Sequence, residues 1–262
     1  MIDLHLIGIG TGNPDHLTLA AIRAMNGADL ILLPRKGDRK SDLLDLRRKI
    51  CETVLAGATR VVEFDLPERS LVPPYIEAVN DWHASIASAW AAQIAAHLPR
   101  GGVLALLVWG DPSLYDSTLR IARRLCADGM DLNIHVVPGI TSIQALTAAH
   151  AIALNTLAAP VTITTGRRLR EEGWPGGAET VVVMLDGTCA FETLPPAGVT
   201  IWWGAYLGMP HQALVHGPLG EVAATIVERR AGLRRQHGWI MDLYLMRLAD
   251  AFIQDGPQPP RA

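Results

Sequence analysis

The chain has 262 residues, 49% hydrophobic and 19% charged, which is the balance of an ordinary soluble globular protein. Its net charge of -3 gives no field for nucleic acid, and no apolar stretch approaches the ~20 residues of a membrane-spanning helix. Three scattered cysteines without CxxC or Cys/His clustering favour neither a disulfide framework nor a zinc site. With no basic segment before the first apolar run, these features predict a cytoplasmic protein without membrane or nucleic-acid partners.

The first half of the chain alternates short β-rich runs with longer helical patterns, which is typical of a parallel sheet wrapped by helices. Strands are predicted over 4–10, 29–33, 60–64, 103–109 and 133–137, and helices over 18–27, 41–56, 75–98, 114–126 and from 142 to about 150.

Strands become the majority in the second half of the chain. They are predicted over 161–165, 180–184, 200–206 and 239–246, with one helix over 219–231. The sequence therefore predicts an α/β protein with a parallel-sheet domain over 1–154, a mixed-sheet domain over 155–255 and a flexible tail over 256–262.

Three of the predicted strands end in turns rich in glycine and small polar residues. They are Gly8-Ile-Gly-Thr-Gly12, Trp109-Gly-Asp-Pro112 and Pro138-Gly-Ile-Thr-Ser142. Glycine allows a sharp bend or a close approach to a ligand, and ligands of such sheets bind at the carboxyl ends of the strands. The sequence therefore predicts a ligand site at these turns.

The first turn matches the dinucleotide-binding fingerprint poorly. Its third glycine has the wrong spacing, Asn13-Pro14 interrupts the entry into the helix, and Leu33-Pro-Arg35 lacks the acidic residue that holds a ribose. A nicotinamide-dependent enzyme is therefore a minor alternative.

Together these segments resemble the tetrapyrrole (corrin/porphyrin) methyltransferases over nearly the whole chain. The resemblance rests on the three turns and on Asp15-His-Leu-Thr18, Ala28-Asp29, Pro112-Ser-Leu-Tyr115, Val181-Val-Val-Met184 and Gly217-Pro-Leu219. It implies a two-domain tetrapyrrole methylase fold, with S-adenosylmethionine in the cleft between the domains, S-adenosylhomocysteine as product, no metal, and a homodimer. Thr11 replaces the usual proline of the first turn, and Leu33-Pro-Arg35 replaces the usual Tyr-Asp.

The resemblance also implies a reaction and a set of site residues. The reaction is methylation of a corrin precursor, a precorrin, at C-1 with loss of the C-20 acetyl group as acetate. The implied cofactor contacts are Thr11, Trp109, Gly110, Asp111, Leu114, Thr141, Ser142, Met184, Tyr206 and Leu207. Asp111 and Tyr115 are the candidate catalytic residues, because water addition to the acetyl carbonyl benefits from a proton acceptor. Turn stabilisation and packing are their alternative roles.

Precorrins carry many carboxylates, so a protein of slightly negative net charge needs local basic residues to bind one. Arg35 and Lys36 are predicted to bind the substrate because they follow the end of the second strand. Arg167 and Arg168, together with Arg170, form a second group in a predicted loop. The remaining basic clusters have simpler explanations. Arg47, Arg48 and Lys49 fit a solvated helix face equally well, and Arg229, Arg230, Arg234 and Arg235 fit complements of a helix dipole.

Two other functions fit the same motifs. One is a methyltransferase of the same fold that acts at a different corrin carbon, on RNA or on a protein. The other is a non-catalytic sensor of S-adenosylmethionine, because a binding motif does not demonstrate turnover.

Overall fold

The computed structural model describes residues 1–35, 41–67 and 75–248. The predicted substrate residue Lys36 and the predicted tail over 256–262 lie outside these ranges. The chain forms two compact units, Met1–Thr141 and Ser142–Ala262. No helix in the described ranges is long and apolar enough to cross a membrane.

The first unit is a parallel five-stranded sheet with helices on both faces. Its strands are β1 (Ile2–Gly8), β2 (Leu30–Arg35), β3 (Arg60–Asp65), β4 (Gly102–Val108) and β5 (Leu132–Val137). Its helices are α1 (Leu19–Asn26), α2 (Ser41–Val54), α3 (Tyr75–His97) and α4 (Thr118–Ala127). The strands lie in the order β3-β2-β4-β1-β5, and every adjacent pair is parallel.

The central strands of this sheet are apolar on both faces. Leu4 and Leu104 pack in one cluster with residues of α3 and α4, while Ile7 and Leu107 pack in a second cluster with residues of α1 and α2. Two buried faces require nearly continuous apolar strands, which is why these runs are not alternating in the sequence.

The second unit has a mixed five-stranded sheet. Its strands are β6 (Val161–Thr165), β7 (Thr180–Met184), β8 (Val199–Ala205), β9 (Ala213–Pro218) and β10 (Asp242–Leu248). Its helices are α5 (Ser142–His150), α6 (Gly166–Glu172) and α7 (Leu219–His237). The order is β6-β7-β10-β8-β9; β6 and β7 are parallel, and the other pairs are antiparallel. The predicted α/β class, with one parallel and one mixed sheet, is confirmed.

The structure divides the chain between Thr141 and Ser142, before the predicted boundary at residues 154 and 155. The reason is helix α5, which packs against β8 and β10 of the second sheet. The periodicity of this helix was visible in the sequence, but the sheet that it covers was not.

Two elements of the second unit differ from the sequence prediction. The predicted loop at Arg167 and Arg168 is helix α6, which begins where the Thr165 hydroxyl accepts a hydrogen bond from the Arg168 amide. The strand β9 was not predicted, because it lies at the edge of the sheet and includes Gly217 and Pro218. Edge strands tolerate these residues, since one side makes no ladder hydrogen bonds.

Candidate functional site

The turns after β1, β4 and β5 meet at the carboxyl edge of the first sheet. A Cβ atom on Gly139 would lie 2.2 Å from the Gly110 carbonyl oxygen, and one on Gly8 would lie 2.6 Å from the Gly139 nitrogen. The Gly110 amide donates to the Gly10 carbonyl at 2.8 Å, and the reverse bond is 3.3 Å long. Only glycine allows three backbones to approach so closely, which explains why all three turns contain it.

Gly110 is buried but borders open space. Its φ is +66°, and a Cβ atom there would meet only the Thr141 Cα, at 3.9 Å. The Gly110 backbone can therefore be approached by a ligand from the side where other residues carry a side chain. Trp109, Leu114 and Thr141 around it are all partly exposed.

The carboxylate of Asp111 links the turn after β4 to the turn after β5. One oxygen accepts from the Ser113 amide at 2.8 Å and from the Ser113 hydroxyl, and the other accepts from the Gly139 amide at 2.9 Å. Burial opposes ionisation, but the hydrogen bonds from Ser113 and Gly139 outweigh it and lower the pKa of Asp111. This geometry favours the turn-stabilising role of Asp111 over that of a proton acceptor.

Two further predicted residues lie in the same turns. Thr11 is only 4% exposed, and its hydroxyl is hydrogen-bonded to His16 Nδ1 at 2.9 Å, so it holds the first turn together. Tyr115 has a left-handed φ of +47° and a side chain that is 43% exposed. Such a conformation is uncommon outside glycine and is found more often at functional sites.

Three predicted cofactor residues of the second unit, Met184, Tyr206 and Leu207, lie at one edge of its sheet, whereas the fourth, Ser142, begins helix α5. Met184 ends β7 and Tyr206 follows β8, and these strands run in the same direction because both are antiparallel to β10. Tyr206 has a φ of +50° and donates its hydroxyl to the Trp239 carbonyl, while its amide donates to Met241. Because Tyr206 and Leu207 are 1% and 4% exposed, a ligand would meet chiefly their backbone.

Two of the predicted substrate residues already hold carboxylates. Arg35 donates two hydrogen bonds to Asp65, at 2.9 and 3.1 Å, and Arg168 donates to Glu172 at 2.9 Å. Both pairs are exposed, so they are worth little and can exchange for another carboxylate. Arg167 lies beside Arg168 on α6 and is exposed.

The second unit contains a buried polar network that the sequence pattern does not predict. Arg230 donates from Nε to Asp242 at 2.8 Å and from Nη2 to the Asp186 carbonyl at 2.7 Å, and Trp203 Nε1 also donates to Asp242. Tyr244 donates its hydroxyl to the Asp186 carboxylate at 2.7 Å. The prediction that Arg230 complements a helix dipole was wrong, because α7 continues to His237 and turns Arg230 inward.

A profile of the Tetrapyrrole (Corrin/Porphyrin) Methylases matches residues 3–223. The chain belongs to this family, and the resemblance inferred from its turns is confirmed. Within the described ranges, no group of three or more His, Cys, Asp or Glu side chains is arranged to hold a metal ion.

Two relatives are similar to this chain over almost their whole length. The chain is 47% identical over 245 residues to the precorrin-6A synthase (deacetylating) of Sinorhizobium sp, covering 92% of this chain and 94% of that protein. A solved structure of a cobalamin synthesis related protein (CobF) from Corynebacterium diphtheriae has a TM-score of 0.82 at 41% identity, covering 95% of this chain and 100% of that one.

A more distant protein shares the fold. A uroporphyrin-III C-methyltransferase from Thermus thermophilus, solved with S-adenosylhomocysteine, has a TM-score of 0.58 at 19% identity. That alignment covers 95% of this chain and 99% of the Thermus chain.

Proposed function

We propose that this protein is an S-adenosylmethionine-dependent methyltransferase that converts precorrin-5 to precorrin-6A, adding a methyl group at C-1 and releasing the C-20 acetyl group as acetate. The observation that carries the proposal is the 47% identity to precorrin-6A synthase (deacetylating) over 92% of the chain. The convergent turns of the first unit supply a site in which such chemistry can take place.

The turns of the first unit fit S-adenosylmethionine, which when bound supplies an electrophilic methyl group. The fit rests on the open space beside Gly110, where a Cβ atom would meet only Thr141 Cα at 3.9 Å. Trp109, Gly110, Asp111, Leu114 and Thr141 would hold it there, chiefly through backbone groups and apolar contact. Thr11, Ser142, Met184, Tyr206 and Leu207 remain predicted contacts.

The chain's own contribution to catalysis is alignment and exclusion of water. Methyl transfer from sulfur needs donor and acceptor in line, and a rigid site lowers the entropic part of the barrier. Asp111 supplies rigidity through two hydrogen bonds to Ser113 within its own turn and one to Gly139 in the turn after β5. We propose Tyr115, which is 43% exposed, as a hydrogen-bond partner of the water that adds to the acetyl group.

The substrate carboxylates would be bound by Arg35, Lys36, Arg167 and Arg168. For Arg35 and Arg168 the structure supports an exchange, in which a substrate carboxylate replaces Asp65 or Glu172 on the guanidinium. We further propose that the protein is a homodimer, which is supported by the family resemblance and is measurable by analytical ultracentrifugation. A cytoplasmic location is proposed separately, from the scattered cysteines of the sequence.

A product analysis tests the proposed reaction. Purified protein is incubated with precorrin-5 and S-adenosylmethionine carrying a labelled methyl group, and the tetrapyrrole is analysed by mass spectrometry while acetate is quantified. The expected result is one labelled methyl gained and one acetate released per tetrapyrrole. A methylated product that keeps its acetyl group would indicate another corrin position, and cofactor binding without turnover would indicate a sensor.

A further inference from the structure

The first sheet opens between β2 and β4 at its carboxyl edge. The pairing of β2 with β4 ends at Leu32 and Leu106, whereas β1 remains paired with β4 as far as Val108. The Val108 carbonyl accepts from Ile9 on the β1 side, so by alternation the Leu107 carbonyl faces β2. Beyond Leu106, β2 no longer supplies this carbonyl with a partner.

The guanidinium of Arg47, on α2, occupies this opening. Its Nε donates to the Leu107 carbonyl at 3.2 Å, and its Nη1 donates to the Leu43 carbonyl at 3.2 Å. A guanidinium has five N–H donors. In the part of the chain that the structure describes, Nη2 has no hydrogen-bond partner, so its donors remain available near the carboxyl end of β4.

Among the described residues, Arg35 and Arg48 form ion pairs with carboxylates, but Arg47 does not. Arg48 holds Glu63 and Asp45, and Arg35 holds Asp65, all within 2.9 Å, whereas no carboxylate among the described side chains is within ion-pair distance of Arg47. Asp116, which follows Tyr115, attracts the guanidinium only at longer range. Burial lowers the pKa of Arg47 to about 10, so it remains a cation at neutral pH.

We propose that Arg47 binds a carboxylate of the ligand at the carboxyl edge of the first sheet. A carboxylate there would accept hydrogen bonds from Nη2. It would also neutralise the positive charge of Arg47, which costs free energy when it is buried without a partner. Two ligands could bring it: a peripheral side chain of the tetrapyrrole, which rests on the proposed function, or the amino-acid part of the cofactor. Arg47 is a binding residue in either case and takes no part in bond breaking.

The test uses Arg47→Met, which keeps the apolar stem and removes the donors, with Arg48→Met as the matched control on the next position of α2. The Michaelis constant for precorrin-5 and the dissociation constants for S-adenosylhomocysteine and 5′-methylthioadenosine are measured for each folded variant. We expect Arg47→Met to weaken one ligand by about tenfold or more, as loss of a charge-assisted hydrogen bond does. Arg48→Met should change none of the three constants by more than about twofold.

The outcomes separate the two carboxylate sources. A raised Michaelis constant for precorrin-5 with unchanged S-adenosylhomocysteine binding assigns the carboxylate to the tetrapyrrole. Weaker binding of S-adenosylhomocysteine but not of 5′-methylthioadenosine, which lacks the carboxylate, assigns it to the cofactor. Unchanged constants overturn the proposal, and so does equal weakening of both nucleosides without a change for precorrin-5, because the defect would then be structural.

A second binding measurement tests the role of the substrate carboxylates and does not depend on whether the proposed function is correct. Binding of a tetrapyrrole polycarboxylate and of its methyl ester is compared by fluorescence quenching, which needs no turnover. If the tetrapyrrole is the source, Arg47→Met should weaken the acid about tenfold and leave the ester unchanged. Absence of turnover in the wild type would overturn the proposed function alone, and equal effects on acid and ester would overturn the tetrapyrrole assignment.

Discussion

A substitution at Gly110 is the most direct test of ligand binding, because the added side chain would disturb little of the surrounding packing. We expect Gly110→Ala to weaken S-adenosylhomocysteine binding by at least about tenfold, because the added Cβ occupies the open space beside the backbone. The left-handed φ of +66° adds a strain of about 1–2 kcal/mol. Isothermal titration calorimetry measures the affinity.

The matched control for this change is Gly129→Ala. Gly129 also has a positive φ, +93°, and a Cβ atom there meets nothing within 4 Å. Both variants should lose comparable stability, but only Gly110→Ala should lose affinity. Equal affinity in the two variants would mean that the cofactor does not approach Gly110.

Asp111 provides a test of whether its carboxylate organises the turn or accepts a proton. In Asp111→Asn one acceptor oxygen becomes an NH₂ donor, which is mismatched with the amides of Ser113 and Gly139. We expect S-adenosylhomocysteine to bind about tenfold more weakly, since one or two hydrogen bonds of a carboxylate are lost. Turnover at saturating cofactor should be largely retained.

The opposite pattern would support the catalytic alternative for Asp111. Unchanged cofactor affinity with a large loss of turnover at saturating cofactor is the behaviour of a group needed only in the transition state. Titration calorimetry and steady-state kinetics on the same preparation distinguish the two roles.

At the scale of elements, Arg230 attaches α7 to β10 and to the chain after β7. It is 9% exposed and pairs with Asp242 at 2.8 Å. Arg230→Met leaves the Asp242 carboxylate buried without its cation, and we expect a loss of about 3–5 kcal/mol in the free energy of unfolding of the second unit. Urea unfolding followed by tryptophan fluorescence measures it, because Trp203 donates to the same carboxylate.

Arg229→Met is the control for the ion pair, since Arg229 is the exposed neighbour of Arg230 on α7. Surface changes of this kind usually alter stability by no more than about 0.5 kcal/mol. If the two variants are equally stable, the buried pair contributes nothing to the attachment of α7.

The response of the whole molecule to ligands distinguishes its family from nicotinamide-dependent enzymes. A ligand that binds only the native state stabilises it by about 2.7 kcal/mol at a hundredfold excess over its dissociation constant. S-adenosylhomocysteine should therefore raise the thermal unfolding midpoint, and NAD or NADP at the same concentration should not. A midpoint raised by NAD alone would contradict the assignment of the cofactor.

The sequence by itself determined the features that depend on local order. The apolar runs before Gly8 and Gly110 predicted buried parallel strands that end in turns, because strand burial and turn chemistry depend on neighbouring residues. The run before Gly139 predicted a third strand, which is the partly exposed edge strand β5. The same short segments were sufficient to identify the family. Helix α5 was also visible as a helix, but not the sheet that it covers.

Only the tertiary structure decided which charged side chains turn inward. Arg47 and Arg48 are adjacent and chemically identical, yet Arg47 reaches the Leu107 carbonyl and Arg48 reaches Glu63. Successive helical residues are rotated by about 100°, so the packing of α2 on its sheet selects the partner of each. Arg230 differs from Arg229 for the same reason, since its partner Asp242 lies on a strand that the helix only meets after folding.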